Sequence, residues 1–574
     1  MDFLITGSTP PAHLHDRYSK VYQDTSWWIS YADSGNIGLF ENDGKLAGIA
    51  AGSLFGPLAD GQVLQLGTPY DLGVSALEAN GSFAVGIPRE DEVVVVTDAG
   101  GSIPVYYAYG PQGFAVGTLV HHVAAAAGCM TVDTVSVADY LFNQTVCYPY
   151  SWYENVRAVP PCSVCTFNRE GKKVHAYWKP AEPDNLYDRN ADVAYWGQRL
   201  RDEVQRAVHL GIEGKSTGRV MYSGGTDSRA ILSLIPDSFD CTPTTVLDGG
   251  KGHREYELAR RSATALGRTL EWVPRPDGYY RSMIPERIDR IGPGWDFRHT
   301  HIFGSVAEQF EDVDVVLGGY LADTLFKTPY MSNVRKRHLR PDLLLDPMPD
   351  TVAKPNFKDG SMGTAALWSD AVSAAQERRG KHHKRLKEIR PLTAGNWHTV
   401  WPFTGQRFTY AHYLTCLRMN AQIVEPFLWH QTYMLAAEMP DYCRVERRAF
   451  RAAFAKGMGR AGMIMTSSGR VPRWSDGSLR GRIIDTAARY TRGWPTIKRK
   501  LMGDKTGQGP WPPDHEGWHP VNPDNHLGAG AVKRAQKRLE SILAEGKAGS
   551  FWRDSQIPKS MRVRVLALGL DMSS

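Results

Sequence analysis

The most informative part of the chain is the hexapeptide Ser223-Gly224-Gly225-Thr226-Asp227-Ser228, between the apolar runs at 218–222 and 229–235. This order predicts a strand, a glycine turn and a helix. Two adjacent glycines let a ligand approach the backbone closely, and the hydroxyl groups supply donors for an anion. An aspartate fits such a site when a divalent cation bridges it to phosphate oxygens. The hexapeptide therefore predicts a phosphate site, although a polar turn that caps a helix would use the same residues.

Apolar strands and helical stretches alternate around this turn. Strands are predicted at 218–222, 244–247 and 314–317, and helices at 191–210, 229–235 and 255–266. This alternation favours a parallel, doubly wound sheet. The first 130 residues are instead β-rich, with strands predicted at 93–98, 105–109 and 113–117 and a helix at 121–130. We therefore expect an α/β protein with a β-rich N-terminal domain.

The composition is that of a multidomain globular protein. The chain has 574 residues, of which 42% are hydrophobic and 22% charged, so disorder is excluded as its main state. A net charge of +6 over this length is too small to indicate nucleic acid. No apolar run is long enough to span a membrane, and the N-terminus lacks the pattern of a signal peptide. Seven cysteines make a disulfide framework improbable, and we expect a cytoplasmic enzyme.

Several motifs, in the same order along the chain, resemble those of the asparagine synthetase class B superfamily. SGGTDS resembles the pyrophosphate loop of the ATP-pyrophosphatase group, and DAGGSIPVYY at 98–107 is similar to the family's DRxGxxPLYY segment. LGGYLAD at 317–323 resembles its SGEGADE turn, and EPFL at 425–428 its VPFLD segment. The resemblance covers roughly residues 80–330 and 410–470.

The resemblance implies two domains and an extension. Residues 1–180 would form a glutamine-amidotransferase-like (Ntn-type) β-sandwich, as a relic without activity. Residues 190–475 would form a doubly wound ATP-pyrophosphatase synthetase domain with an insertion at 331–400, and residues 476–574 a basic C-terminal extension.

The resemblance also implies ATP and Mg²⁺ as cofactors. It makes Asp227 and Asp323 the metal ligands. The residues that it implies for ATP binding are Ser223, Gly224, Gly225, Asp227, Ser228, Leu247 and Gly319.

The second residue of the chain departs from the family pattern. Glutamine-dependent members carry a catalytic cysteine there, whereas this chain has Asp2, and its first cysteine is Cys129. A carboxylate is a far weaker nucleophile than a thiolate. The N-terminal domain is therefore expected to be inactive, which points to the branch whose substrate carries its own amine. That branch includes the β-lactam synthetases and the lasso peptide cyclases.

Three residues are candidates for catalysis. Tyr320 resembles the β-lactam synthetase tyrosine, which works with a glutamate to deprotonate the attacking amine. Glu425 is its candidate partner, although the family's usual glutamate position is Gln422 here. Arg470, or alternatively Lys456, would replace the family lysine that faces the phosphates. For Tyr320, the alternative is a packed aromatic ring without a catalytic role. For Arg470 or Lys456, it is a solvated surface charge.

Two further features are open to more than one interpretation. His299 and His301 lie where relatives line the acceptor pocket, but they could equally serve the core. The basic stretch 331–400 is either a solvated helix face or a guide for an acidic peptide, and it could cover a cleft lined partly by 291–303.

The resemblance implies an ATP-dependent, AMP-forming intramolecular amide ligase, similar to a lasso peptide cyclase. Such an enzyme adenylates an Asp or Glu side chain of a leader-free precursor peptide and joins it to the N-terminal amine. The implied partners are the linear precursor (core) peptide, a leader-binding protein and a leader protease, with no nucleic acid and no membrane. The alternatives are a β-lactam synthetase-like or ammonia-dependent asparagine synthetase-like small-molecule ligase, and a non-catalytic scaffold that only binds ATP.

Overall fold

The computed structural model describes the N-terminal part of the chain almost completely and the remainder in separate stretches. The described residues are 2–247 without 15–16, 24–25, 33, 35, 187 and 189; 254–274; 291–295; 310; 313–327; 370–402 without 399; 418; 422–474; 479–481, 483–484 and 486–487; 529–540; and 568. His299, His301 and the first part of the basic stretch, 331–369, lie outside them. Within the described part, no helix is both long and apolar enough to cross a membrane.

Two six-stranded antiparallel sheets form the N-terminal domain. Their strands are β1 (Phe3–Thr6), β2 (Lys20–Gln23), β3 (Trp28–Tyr31), β4 (Ile37–Asn42), β5 (Lys45–Phe55), β6 (Asn80–Pro88), β7 (Val93–Thr97), β8 (Tyr106–Gly110), β9 (Gly113–Gly117), β10 (Val156–Ala158), β11 (Ser163–Asn168) and β12 (Gly171–Ala176). The first sheet has the order β10-β8-β9-β1-β3-β2 and the second the order β12-β11-β7-β6-β5-β4. The strands predicted at 93–98, 105–109 and 113–117 are confirmed as β7, β8 and β9.

Helices cover the outer faces of both sheets. They are α1 (Gly61–Leu66) and α2 (Pro69–Glu78) on the second sheet, and α3 (Val120–Ala127) and α4 (Thr134–Asn143) on the first. Val93 and Val95 pack with Phe3 of the facing sheet, whereas Val94 packs with Leu64 of α1. The valine run of β7 is continuous because both of its faces are buried.

A five-stranded parallel sheet follows, as the alternation of strands and helices predicts. Its strands are β13 (Thr217–Met221), β14 (Asp240–Leu247), β15 (Glu271–Pro274), β16 (Val315–Leu317) and β17 (Gln422–Val424), in the order β15-β14-β13-β16-β17. The order reverses between β13 and β16, which pair in parallel. At such a reversal the loops after the two strands diverge, so ligands of open α/β sheets bind there, beyond the carboxyl ends.

The remaining helices connect or cover these strands. They are α5 (Val193–Ile212), α6 (Thr226–Leu232), α7 (Arg254–Ala265), α8 (Ala322–Phe326), α9 (Asp370–Ile389), α10 (Ala394–Trp397), α11 (His430–Glu438), α12 (Asp441–Arg444), α13 (Arg448–Phe454) and α14 (Ala529–Glu540). The helices predicted at 191–210, 229–235 and 255–266 correspond to α5, α6 and α7.

The described part of the basic stretch packs against the N-terminal domain. Helix α9 lies against α4, where Arg378 forms an ion pair with Asp133 and Arg379 with Asp139. Arg390, just beyond α9, is fully buried. These three cations therefore serve packing against neighbouring parts of the fold. The other side of α9 is a solvated helix face, as one of the two interpretations expects, because its remaining basic side chains are exposed: Lys381, Lys384, Arg385 and Lys387.

Candidate active site

The turn after β13 is shaped by its two glycines. Gly224 has a φ of +68°, and a Cβ there would lie 2.8 Å from the Cα of Ala259 in α7. Gly225 has ordinary backbone geometry, and a Cβ there would meet only Ser223 Oγ, at 3.1 Å. The first glycine is therefore required by the fold, whereas the second leaves its side of the turn open to a ligand.

The turn after β16 is held between two other segments. A Cβ on Gly318 would lie 2.0 Å from Glu425 Oε1, and one on Gly319 would lie 3.1 Å from Asp227 Cβ. The two glycine turns thus touch each other at the point where the strand order reverses. Their contact brings together Asp227 of the first turn and Asp323 at the start of α8.

Glu425 is a buried carboxyl group directly after β17. It is 2% exposed, and its Oε2 accepts a hydrogen bond from the Tyr320 backbone N–H at 2.9 Å. Burial raises the pKa of Glu425 to about 8, with a smaller opposing effect from that N–H. Glu425 and Tyr320 are therefore neighbours, as expected, but through the backbone amide. Proton relay through the phenol stays a prediction.

Lys327 lies between Asp227 and Asp323, a position that was not predicted from the sequence. Its ammonium group is in contact with the Asp227 carboxylate and lies 3.2 Å from Asp323 Oδ1. It also donates to Thr226 Oγ1 at 3.0 Å, and its side chain is fully buried. Burial, with the nearby charges of Arg447 and Arg470, lowers the pKa of Lys327 well below its usual range. The only signal in the sequence is its spacing from Asp323, one helical turn earlier.

A partly open pocket lies beside Thr226. It is lined by Thr226, Arg447, Phe450, Arg451, Ala455, Met458, Arg470 and Pro472. Arg470 lines this pocket, whereas Lys456 is exposed and is not part of the lining, and the predicted role of either cation at the phosphates stays a prediction. Arg447 Nη2 additionally lies 3.6 Å from Asp323 Oδ1. Three arginines thus border the pocket, mainly through the carbon atoms of their side chains, and their role toward phosphates stays a prediction.

The remaining predicted ATP-binding residues lie at the same edge of the sheet. Ser223 is exposed at the first turn, and Ser228 is buried in the first turn of α6. Leu247 ends β14, which pairs with β13. The tertiary structure therefore brings all the predicted ATP-binding positions to the carboxyl ends of neighbouring strands, while their role in ATP binding stays a prediction.

Asp227 and Asp323 can be tested as magnesium ligands by the geometry between them. Both direct a carboxylate oxygen at one shared cation, the Lys327 ammonium, so they converge as ligands of a single ion would. Across the described ranges, no cluster of three or more His, Cys, Asp or Glu side chains could hold a metal. Two carboxylates would supply only part of the ligands of Mg²⁺, with phosphate and water supplying the rest, so magnesium binding at this pair stays a prediction.

Asp2 is a buried and fully paired carboxylate. Its Oδ1 accepts from Arg418 Nε at 2.9 Å and from Thr118 Oγ1 at 3.1 Å, and its Oδ2 accepts from Arg17 Nη2 at 2.9 Å. Burial alone would raise the pKa of Asp2, but the two arginines hold it well below its usual range. The position of the family's nucleophile thus carries an ionised group whose oxygens are committed to these partners.

A second pocket lies between the N-terminal domain and the segment 291–303, which is expected to line an acceptor pocket. Pro293, Gly294 and Trp295 line it from that segment, facing Tyr106 and Trp152. The rest of the predicted lining, from residue 296, lies outside the described part of the chain. Its use as an acceptor pocket stays a prediction.

Comparison with known proteins identifies the N-terminal part. Residues 58–178 match the family described as a glutamine amidotransferase domain. The match covers about a fifth of the chain and is consistent with the amidotransferase-like N-terminal domain expected from the sequence. No curated protein matches the chain.

Two solved structures show weaker similarity. One is the allosteric regulatory enzyme of purine biosynthesis, with 12% identity and a TM-score of 0.20 over 48% of this chain and 75% of that one. The other is glutamine phosphoribosylpyrophosphate amidotransferase from B. subtilis, in complex with ADP and GMP, with 13% identity and a TM-score of 0.21 over 55% and 74%. Similarity this weak carries no argument about activity or substrate.

Proposed function

We propose that the chain is an ATP-dependent ligase that forms an amide bond through an acyl-adenylate. The observation that carries the proposal is the contact between the two glycine turns, where Asp227 and Asp323 face the same cation beside an arginine-lined pocket. This constellation lies at the reversal of a parallel sheet, the usual position for a nucleotide in such folds.

In the first step, an oxygen of the substrate carboxylate attacks the α-phosphorus of ATP. The bond between the α-phosphorus and its bridging oxygen breaks, and pyrophosphate leaves. Arg447, Arg451 and Arg470 would stabilise the charge on the departing phosphates, and the open face of Gly225 gives them access to the backbone. Asp227 and Asp323 would hold Mg²⁺, which supplies charge neutralisation at the phosphates when it is bound.

In the second step, an amine of the substrate attacks the acyl carbon and AMP leaves. The amine must lose a proton as the bond forms. Glu425 is the buried carboxyl group at this position, and its pKa of about 8 suits proton exchange near neutral pH. Tyr320 would connect the carboxyl group to the amine.

The proposed substrate is a linear peptide that is closed into a macrolactam, as in lasso peptide cyclases. The carboxylate at Asp2, which is paired with Arg17 and Arg418, supports a substrate that carries its own amine. Without a thiolate at this position, the domain has no nucleophile there to release ammonia from glutamine. Holding both reacting groups in one molecule also removes much of the entropic barrier. A leader protease and a leader-binding protein would supply the free peptide.

ATP–pyrophosphate exchange tests the first step. The full chain with Mg²⁺, ATP and a leader-free peptide should exchange labelled pyrophosphate, and Asp227→Asn and Asp323→Asn should each abolish exchange. Asp314→Asn is the matched control, because Asp314 binds the backbone N–H groups of Ser216 and Thr217 at the opposite end of the same sheet. Exchange that survives in both test variants contradicts the site.

Mass spectrometry of the products tests the second step. The expected product is lighter than the peptide by one water, with one AMP formed per ring. Free asparagine or a small β-lactam as the sole product, across a panel of substrates, would keep the ATP chemistry and reject the peptide. Absence of exchange with every substrate would favour a non-catalytic scaffold.

A further inference from the structure

The N-terminal domain contacts the chain on both sides of Glu425. Before Glu425, Arg418 is paired with Asp2, and the backbone N–H of Ile423 donates to Asn36 Oδ1 at 3.4 Å. After Glu425, His430 Nδ1 accepts from the Ala99 backbone N–H at 2.9 Å. The contacts therefore bracket the one buried carboxyl group of the candidate site.

The ion pair between Asp2 and Arg418 is almost completely shielded from water. The side chains of Asp2 and Arg418 are each 1% exposed, and Arg418 Nη2 also donates to the Thr118 carbonyl at 3.3 Å. A buried ion pair with its remaining hydrogen bonds satisfied fixes geometry, because breaking it leaves an uncompensated charge.

The contact at Asn36 closes the edge of the parallel sheet. Strand β17 is the last strand in the sheet order, and its described pairing is with β16. An edge strand presents unpaired N–H groups on its outer side. The Asn36 side chain accepts one of them, from Ile423, so the N-terminal domain satisfies the outer side of β17 at this residue.

The contacts after Glu425 insert the start of α11 into the N-terminal domain. Gln431 Nε2 donates to the carbonyls of Leu77 and Ala79 at 2.7 and 2.8 Å, and the Trp429 ring packs on Phe55 with centroids 5.4 Å apart. His430 is fully buried. The chain is thus held against the same domain again immediately beyond the site.

We infer that the N-terminal domain positions Glu425 for the reaction at the two glycine turns, with Asp2 and Asn36 as positioning residues. The Glu425 side chain is closely packed at this place. Its carboxylate fills the space over Gly318 and accepts a hydrogen bond from the Tyr320 backbone N–H. A shift of the bracketed segment, 422–431, would move the carboxyl group out of this contact. The inference rests on the proposed function only for the role of Glu425 in amide formation.

Hydrogen–deuterium exchange on the full chain tests the positioning without any substrate. Asp2→Asn should accelerate amide exchange in 422–431 on the order of 100-fold, because the Arg418 charge loses its partner. Asp139→Asn is the matched control, since Asp139 forms a largely buried ion pair with Arg379, outside this segment. Equal exchange of 422–431 in the two variants would overturn the inference.

Asn36→Ala provides a milder second variant, in case Asp2→Asn does not fold. It removes the acceptor for the Ile423 N–H, and 422–424 should exchange faster while α4 and α9 stay unchanged. Unchanged protection of 422–424 would contradict the role of Asn36.

The kinetic test separates positioning from general stability. Asp2→Asn should lower kcat for amide formation while leaving the KM for ATP and the rate of pyrophosphate exchange unchanged, because the turn at 223–228 is not touched. Equal loss of both steps would reject a specific effect on Glu425. If the wild-type chain shows no exchange activity at all, the proposed function fails, while the amide-exchange experiment still decides the positioning.

Discussion

Among single residues, Glu425 shows how burial changes the chemistry of a side chain. Its pKa of about 8 lies above the ordinary 4.5, so the folded protein holds a proton that the unfolded chain releases between these values. The stabilisation by this proton is complete below pH 4.5 and is lost as the pH rises through 8.

Glu425→Gln should therefore remove a pH dependence of stability. The amide keeps the shape of the neutral carboxyl group, so the variant should gain roughly 3–5 kcal/mol over the wild type at pH 9 and little at pH 4. Urea unfolding at pH 4, 7 and 9 measures the difference. A difference that is the same at all three values would show that Glu425 titrates normally.

Lys327 is the second residue whose role depends on its surroundings. Lys327→Met should weaken nucleotide binding at least about tenfold, because the loss of the buried positive charge between Asp227 and Asp323 leaves more uncompensated negative charge beside the phosphates, even with Mg²⁺ bound. Arg470→Met should weaken binding in the same direction. Calorimetric titration with an ATP analogue measures the effect, and Lys456→Met, at an exposed position outside the pocket, should leave the affinity unchanged.

Among the elements, the two glycine turns should differ in how much stability they lose when a glycine is replaced by alanine. Gly318→Ala should destabilise the fold by about 1–3 kcal/mol, because its Cβ would overlap the Glu425 carboxylate. Gly225→Ala should change stability by no more than about 1 kcal/mol, since its Cβ meets only Ser223 Oγ.

The same two variants distinguish a turn that binds a ligand from a turn that only stabilises the fold. Gly225→Ala should lose nucleotide binding in spite of its stability, because the new methyl group stands on the open side of the turn. Thermal unfolding with and without ATP and Mg²⁺ checks both properties. A nucleotide-dependent rise in Tm that persists in Gly225→Ala would show that the ligand does not approach this glycine.

In the whole molecule, the N-terminal domain is a structural partner of the parallel sheet. It covers the edge of β17 and encloses the start of α11, where Trp429 and His430 are buried. A chain that begins at residue 190 would expose this edge and these rings, and it should be insoluble or aggregated. Expression of this chain beside the full protein tests the expectation, and a soluble, cooperatively folding fragment would refute it.

The same domain should not release ammonia from glutamine. Asp2 is held between Arg17 and Arg418, and a carboxylate so paired cannot act as the missing thiolate. Incubation with glutamine should yield no glutamate above background in an enzymatic glutamate assay. Release of glutamate would reveal a nucleophile elsewhere in the domain.

The sequence by itself determined the local elements and the motif positions. The strand, turn and helix around 223–228 follow from hydrophobic periodicity and adjacent glycines, and all three are present, with the helix beginning at Thr226 instead of at residue 229. The valine run of β7 and the strands at 106–110 and 113–117 were readable for the same reason. These features depend on neighbouring residues, which is the information that a single sequence contains.

Only the tertiary structure decided which distant residues meet. Lys327 lies between Asp227 and Asp323, and Asp2 pairs with Arg418, although nothing in their local sequence indicates a partner far away in the chain. The pKa of Glu425 also depends on its burial under Gly318 and Tyr320. Long-range ion pairs and desolvation arise from packing, so they are fixed only when the strands and domains have come together.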